Sequence, residues 1–175
     1  VELLDGIEFA HKLRLLDDIA FTDASGQVWL ARKGGILDGE TVPRELYSMG
    51  GLPYLAEYRK AAVVHDYFCR VRTEPWRPVH RMFYHASVAE GASETQAKAL
   101  YAVVYAGGWR WEPNGTSCYL SCHAAAASLA WKPAVMPAEV QPVLQWIAQN
   151  GPTLDEIDVR LDAVIRKPGP HLFAQ

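Results

Sequence analysis

Cysteine is scarce in this chain of 175 residues, which has three: Cys69, Cys118 and Cys122. Three cysteines are too few for a disulfide scaffold, and an odd number leaves one thiol over if the other two pair. Long apolar runs are also missing, since no stretch approaches the roughly 20 residues that a membrane span requires. A transmembrane segment is therefore not expected.

Neither sign of charge dominates, because 17 Lys and Arg stand against 20 Asp and Glu, and the formal net charge is −3. Basic residues alternate with acidic ones, so a broad nucleic-acid-binding face is not expected. The 13 Gly and 11 Pro are dispersed, and 50% of the residues are hydrophobic. This composition is typical of one folded domain, which we expect to cover residues 1–175.

The first third of the chain has the pattern of β-structure. Residues 13–31 contain alternating apolar positions on either side of Asp23-Ala24-Ser25-Gly26, a sequence typical of a turn. We expect one small antiparallel sheet here. A loop rich in Gly, Asp and Pro follows, and it is expected to lie over the next segment, so that sheet and covering loop occupy about residues 7–50.

The rest of the chain predicts helices. Their expected ranges are 55–71, 76 or 79 to 90, 93–106, 117–131, 138–149 with Pro142 in the opening turn, and a last one from 153 to a stop at 167–170. Ser93 with Gln96 and Thr153 with Glu156 have the spacing of capping boxes. The predicted fold class is therefore α+β, with a small N-terminal sheet, a helical core over about 54–111 and a C-terminal helical appendage over about 116–167.

Chemistry is concentrated in two of the predicted helices. His65 and Asp66 stand inside the apolar run 61–69, and His80 stands in the next helix. Buried polar groups cost about 1–3 kcal/mol each unless they find partners, so we expect these three residues to meet in one half-buried place. Two imidazoles and a carboxylate can hold a metal ion or polarise a water molecule. A hydrogen-bond network that only fixes the packing of the helices explains the same residues equally well.

Other residues are weaker candidates. Asp38 could complete the cluster as a third ligand or an orienting acid, with Arg44 and Tyr84 in supporting roles, although turn chemistry and a surface position explain Asp38 and Arg44 as well. Cys69 lies four residues after His65, a spacing compatible with a metal, but a buried apolar thiol is the favoured interpretation.

Two further groups are better explained by packing. Cys118, Cys122 and His123 lack the tight spacing of a zinc knuckle. The aromatic residues Tyr105, Trp109 and Trp111 could form a ligand platform, but caps of the core are the favoured interpretation.

The set of motifs resembles the bacterial and phage proteins grouped as domain-of-unknown-function family 1353. The resemblance covers about residues 7–111, and the matching pieces are Gly26 with Trp29, Gly34-Gly35, Asp38-Gly39, Pro43-Arg44, residues 61–67, His80 with Phe83, and Tyr101 with Gly107. Many members have Asp at the position of His80, so this chain departs from the family there. The resemblance implies no established activity.

The His-Asp pair followed by Tyr67 is also similar, locally, to the catalytic helix of phospholipases A2. That similarity implies that His65 is a general base for water, that Asp66 is a calcium ligand and that His80 stands where the orienting carboxylate belongs. The calcium loop and the helix-pairing disulfides of those enzymes have no counterpart in this sequence.

We therefore expect a small hydrolase with a His-centred site, assisted by a divalent cation such as calcium or zinc. Because the resembling family occurs in bacteria and phages, lipid or cell-envelope material is the expected substrate. The alternative is a non-catalytic phage- or secretion-related structural or interaction domain that contacts a protein partner. A soluble protein of the bacterial cytoplasm and an exported, periplasmic one are both compatible with a chain that starts at Val1.

Overall fold

The computed structural model describes residues 2–4, 12–37, 58–111, 133 and 137–165. Within these ranges five strands precede five helices. The strands are β1 (Glu2–Leu4), β2 (Lys12–Arg14), β3 (Ile19–Thr22), β4 (Val28–Ala31) and β5 (Ile36–Leu37). The helices are α1 (Arg59–Val71), α2 (Trp76–Ala89), α3 (Glu94–Gly107), α4 (Pro137–Asn150) and α5 (Leu154–Asp162). The predicted α+β class, with a small N-terminal antiparallel sheet and a mostly helical C-terminal part, is confirmed.

The strands form two sheets in the described part of the chain, where the sequence predicted one. Strand β2 lies between β1 and β5, with Leu13 opposite both Leu3 and Leu37, and all pairings are antiparallel. Strands β3 and β4 form the expected hairpin, with Phe21 opposite Trp29. The chain bends at residues 16–17, between β2 and β3, and the two strands lie in different sheets.

The hairpin turn owes its shape to Asp23 and Gly26. One carboxylate oxygen of Asp23 accepts hydrogen bonds from the backbone N–H groups of Ser25 and Gln27, and the other accepts one from the indole N–H of Trp29 at 2.9 Å. Gly26 has a φ of +86°, which residues with a Cβ rarely adopt. The predicted turn over residues 23–26 is thus confirmed.

The helix boundaries follow from local signals at most ends. Ser93 accepts a hydrogen bond from the backbone N–H of Gln96 at the start of α3, and Thr153 forms the full predicted capping box with Glu156 at the start of α5. Helix α1 begins at Arg59, later than predicted, because Tyr58 has a φ of −140° and cannot belong to the helix.

Two other helix predictions need correction. Helix α5 ends at Asp162, short of the predicted stop, and residues 163–164 continue as a turn in which the backbone N–H groups of Val164 and Ile165 donate to the Leu161 carbonyl. Pro142 lies in the second turn of α4, since that helix starts at Pro137. The helix predicted over 117–131 lies outside the described residues.

One hydrophobic core joins the sheets to the helices. It contains Trp29 and Leu37 from the strands, Val64 and Phe68 from α1, and further buried residues from the other four helices. Helix α2 packs against α1 and α3, and α3 packs against α4 and α5. None of the described helices combines the length and the apolar character that crossing a membrane requires. The α1–α2 pair therefore lies between the hairpin and the other helices, and it carries the candidate site.

Candidate functional site

Two packed helices bring the candidate residues together. His65 and Cys69 are one turn apart on the same face of α1, and His80 reaches them from α2. Nε2 of His65 lies 2.8 Å from Nδ1 of His80, so the two imidazoles share a hydrogen bond. Sγ of Cys69 lies 3.6 Å from Nε2 of His65. One donor atom from each residue falls within 4.8 Å of the other two, and we call this group the His-Cys-His cluster.

The cluster is sealed from solvent. His80 is 0% exposed, and His65 and Cys69 are each 3% exposed. Burial lowers the pKa of His65 to about 3. Burial also lowers the pKa of His80 well below its usual value, and the neighbouring His65 and Arg110 lower it further. Both imidazoles are therefore neutral at physiological pH and resist protonation, and a lone pair on a neutral imidazole can bind a cation.

Aromatic rings surround the two imidazoles. The centroid of the Phe83 ring lies 4.8 Å from that of His65. Trp76 and Trp111 meet the His80 ring in edge-to-face arrangements, with centroid separations of 5.5 and 6.4 Å. Trp111 is itself fixed, because its indole N–H donates to the Glu74 carbonyl at 2.8 Å. Such walls hold the imidazole planes in place.

His80 has one nitrogen that the described residues leave without a hydrogen-bond partner. This atom, Nε2, is buried and faces the chain where α3 ends. A Cβ added to Gly108 would lie 3.0 Å from it and 2.3 Å from the Val104 carbonyl oxygen, so only glycine fits between them. The backbone at Gly108 thus closes the cluster on the side away from His65.

Two other predicted residues, Asp66 and Tyr84, are not members of this cluster. Asp66 is buried on α1, but it follows His65 by one residue and is rotated by about 100° around the helix axis. The donor atoms that converge are those of Cys69 and the two histidines. Tyr84 is half-buried, and burial together with the nearby Glu94 raises its pKa.

Several sequence candidates are not placed by the structure. Asp38 and Arg44 lie outside the described residues, and so do Cys118, Cys122 and His123. Of the predicted aromatic platform, Tyr105 and Trp111 are buried core residues. Trp109 is half-buried, with the Arg72 guanidinium 5.5 Å from its ring centroid. This agrees with the core-cap interpretation of Tyr105 and Trp111.

A second polar group, which the sequence reasoning missed, joins α2 and α3 to α5. Its centre is Asp158, which is 4% exposed. The carboxylate of Asp158 accepts hydrogen bonds from the Tyr101 hydroxyl, from Arg81 at 2.7 Å and from Arg77 at 3.3 Å. The spacing of Arg77 and Arg81 by four residues was the available signal, together with three aspartates at helical spacing in α5: Asp155, Asp158 and Asp162.

Arg110 links this ionic group to the cluster. Its guanidinium lies 3.9 Å from the Asp162 carboxylate and 4.4 Å from the ring centroid of Trp76. Trp76 in turn contacts His80. The positive charge of Arg110 opposes protonation of His80, which is one cause of the lowered pKa of that imidazole.

Comparisons with known proteins identify relatives for part of the chain. The family described as "Protein of unknown function (DUF1353)" matches residues 13–104, which is more than half of the chain. Two proteins of Sinorhizobium fredii (strain NBRC 101917 / NGR234) are similar to it. "Uncharacterized protein y4iH" is 37% identical over 102 residues, and "Uncharacterized protein y4jT" is 36% identical over 97 residues.

The matched regions cover 58% and 55% of this chain but only 42% and 29% of those two proteins. The chain therefore spans less than half the length of either relative. No solved structure matches the chain significantly.

Proposed function

The chain belongs to the DUF1353 family, so its function has to follow from the chemistry of its own residues, and we propose that it is a small hydrolase centred on His65 and His80. The observation that supports this proposal is the 2.8 Å contact between two neutral, buried imidazoles. A divalent cation bound beside this contact would lower the pKa of its water, so that one imidazole could accept the proton and share it with the other.

In this proposal His65 activates the water, directly or through a divalent cation, and His80 assists as a second base or ligand. Asp66 or Asp38 orients an imidazole or contributes to cation binding from outside the cluster, with Arg44 and Tyr84 in support. Lipid or cell-envelope material is the proposed substrate class. The similarity of the His65-Asp66-Tyr67 segment to the phospholipase A2 helix supports a lipid ester as the first substrate to examine.

The experiment is a hydrolysis assay on three substrates: a short-chain nitrophenyl ester, mixed phospholipid vesicles and purified bacterial cell wall. His65→Gln is the test variant, and His85→Gln is the matched control, because His85 is an exposed histidine on α2. General acid–base catalysis contributes about 10²–10⁴-fold, so His65→Gln should reduce turnover by at least about 100-fold. The control should keep full activity. No turnover on any of the three substrates, or full activity in His65→Gln, contradicts the proposal.

The near-complete burial of the site favours a second candidate, a structural or interaction domain in which the same residues form a packing network. Urea unfolding separates the two. For an enzyme, His65→Gln should remain folded and lose activity. For the structural domain, the same change should cost several kcal/mol of unfolding free energy because it breaks a buried polar contact, and no hydrolysis should be found.

A further inference from the structure

We propose that one transition-metal ion of the zinc class binds between His65, Cys69 and His80. This deepens the proposed function by naming the ion at the same site, but it does not depend on hydrolysis. The donors are two imidazole nitrogens and one thiol sulfur, and one atom of each lies within 4.8 Å of the others.

Of the three separations between the donors, the one from His65 to Cys69 matches a small tetrahedral ion. The other two require a shift, since the donor atoms of Cys69 and His80 lie up to 4.8 Å apart. With Zn–N of about 2.05 Å and Zn–S of about 2.3 Å, tetrahedral geometry places N and S about 3.6 Å apart and two N atoms about 3.3 Å apart. The observed distance from Nε2 of His65 to Sγ of Cys69 is 3.6 Å. The two imidazoles are 2.8 Å apart, so they need to separate by about 0.5 Å to ligate one ion.

The orientation of His80 decides which of its nitrogens can bind the ion. Nδ1 faces His65 at 2.8 Å, so Nδ1 is the ligand atom and Nε2 carries the ring proton. Nε2 is buried beside Gly108 without a hydrogen bond of ordinary geometry among the described residues, and the nearby backbone of Trp109 raises the pKa of His80. A ring N–H directed at backbone is the usual arrangement for the second nitrogen of a metal-bound histidine.

The donor set also selects the metal. Thiolate and imidazole ligands favour Zn²⁺ and similar ions, whereas calcium takes six to eight oxygen ligands. None of the three converging atoms is an oxygen, which disfavours the calcium alternative for this cluster. Three protein ligands are also the number found in catalytic zinc sites, where a water molecule completes the tetrahedron. This count connects the ion to the proposed hydrolase.

The test is the titration of chelator-treated, reduced, full-length protein with Co²⁺ and Zn²⁺. Cobalt reports a bound thiolate through sulfur-to-cobalt charge-transfer absorption, and competition with zinc then gives the zinc affinity. We expect one ion per chain, charge-transfer absorption, and a zinc affinity reduced by roughly 100-fold or more in Cys69→Ala. Cys118→Ala/Cys122→Ala and His85→Ala are the controls for the other thiols and for an exposed histidine, and they should bind as the wild type does.

Binding that is unchanged in Cys69→Ala, or the absence of stoichiometric binding, overturns the metal site. If Cys69→Ala does not fold, as judged by near-UV circular dichroism, X-ray absorption of the zinc-loaded wild type decides instead. One sulfur at about 2.3 Å with nitrogen ligands supports the site, and a shell without sulfur refutes it. Hydrolysis by the metal-free protein would support the hydrolase and show that it does not need the ion. Stoichiometric zinc binding with no turnover on any substrate would support the metal site and contradict the hydrolase.

Discussion

The hydroxyl of Tyr101 on α3 donates a hydrogen bond to the buried carboxylate of Asp158 on α5. This contact joins two helices that are far apart in the sequence, and burial together with the negative charge of Asp158 raises the pKa of Tyr101. A phenol whose deprotonation is suppressed in this way remains a hydrogen-bond donor at all physiological pH values.

We predict that Tyr101→Phe lowers the free energy of unfolding by about 1.5–3 kcal/mol, because a buried carboxylate loses a donor. Tyr105→Phe is the matched control. Its hydroxyl donates to Asp162, whose side chain is 44% exposed and can turn to water instead, so the loss should be below about 1 kcal/mol. Urea unfolding followed by tryptophan fluorescence measures both variants. Equal losses would show that the burial of Asp158 does not control the energetics of this contact.

The stability of the metal-free protein should fall as the pH decreases. The pKa of His65 is about 3 in the folded chain against a usual 6.5, so the unfolded chain binds more protons between these values. The contribution of His65 is fully present above pH 6.5, and it is lost at about 1.4 kcal/mol per pH unit as the pH falls toward 3. Unfolding free energies at pH 7, 6 and 5 test this, and His65→Gln should show a smaller pH slope. Identical slopes would mean that His65 binds protons equally in the folded and unfolded chains over this pH range.

Gly35 is predicted to be intolerant of a side chain because of Tyr67. A Cβ at Gly35 would lie 2.7 Å from the ring of Tyr67, although the backbone φ there is one that alanine can adopt. Gly35→Ala should therefore cost about 1–3 kcal/mol through overpacking. In a Tyr67→Ala background the same change should cost less, since the ring is gone, although the Arg32 carbonyl oxygen remains close, at 3.0 Å. A double-mutant cycle by urea unfolding gives the interaction energy between the two substitutions. If their losses of unfolding free energy are additive, contact with the Tyr67 ring is not the source of the strain.

Asp23 should titrate far below an ordinary aspartate. Hydrogen bonds from Ser25, from the Trp29 indole and from Gln27 lower its pKa to about 2. Because the folded pKa is depressed, the contribution of Asp23 to the hairpin is complete above pH 3.8, and it is lost as the pH falls through 2. NMR detection of the Trp29 indole N–H and the Asp23 carboxyl carbon follows this directly. A carboxyl carbon that titrates near pH 4 would show that the indole contact does not persist in solution.

Signals confined to a few neighbouring residues were sufficient to predict several parts of the fold. Asp23 and Gly26 predicted the turn, and Ser93 and Thr153 predicted the starts of α3 and α5, because each acts on backbone groups within four residues of itself. Tyr58 is the exception at the start of α1, where the apolar pattern continues beyond the point at which the backbone leaves the helix.

The site could be predicted only in part, because its last member depends on tertiary packing. The sequence placed Asp66 and Cys69 on different faces of α1, and either could have accompanied His65 toward the next helix. The rotation of α1 against α2, which the whole core determines, turns Cys69 toward His80. In the same way, nothing local to Arg81 indicates that its partner is Asp158, more than seventy residues later.

The ionic group around Asp158 extends beyond the part of the chain that the family match covers. The family match ends at residue 104, so it includes Arg77, Arg81 and Tyr101. Their shared hydrogen-bond acceptor, the carboxylate of Asp158, lies outside the matched segment. In a fragment that ends at residue 104, Arg77, Arg81 and Tyr101 would lose the Asp158 carboxylate and be exposed to water. The smallest piece of this chain that can serve in an experiment therefore extends through α5, because only there does the buried carboxylate of Asp158 meet its three partners.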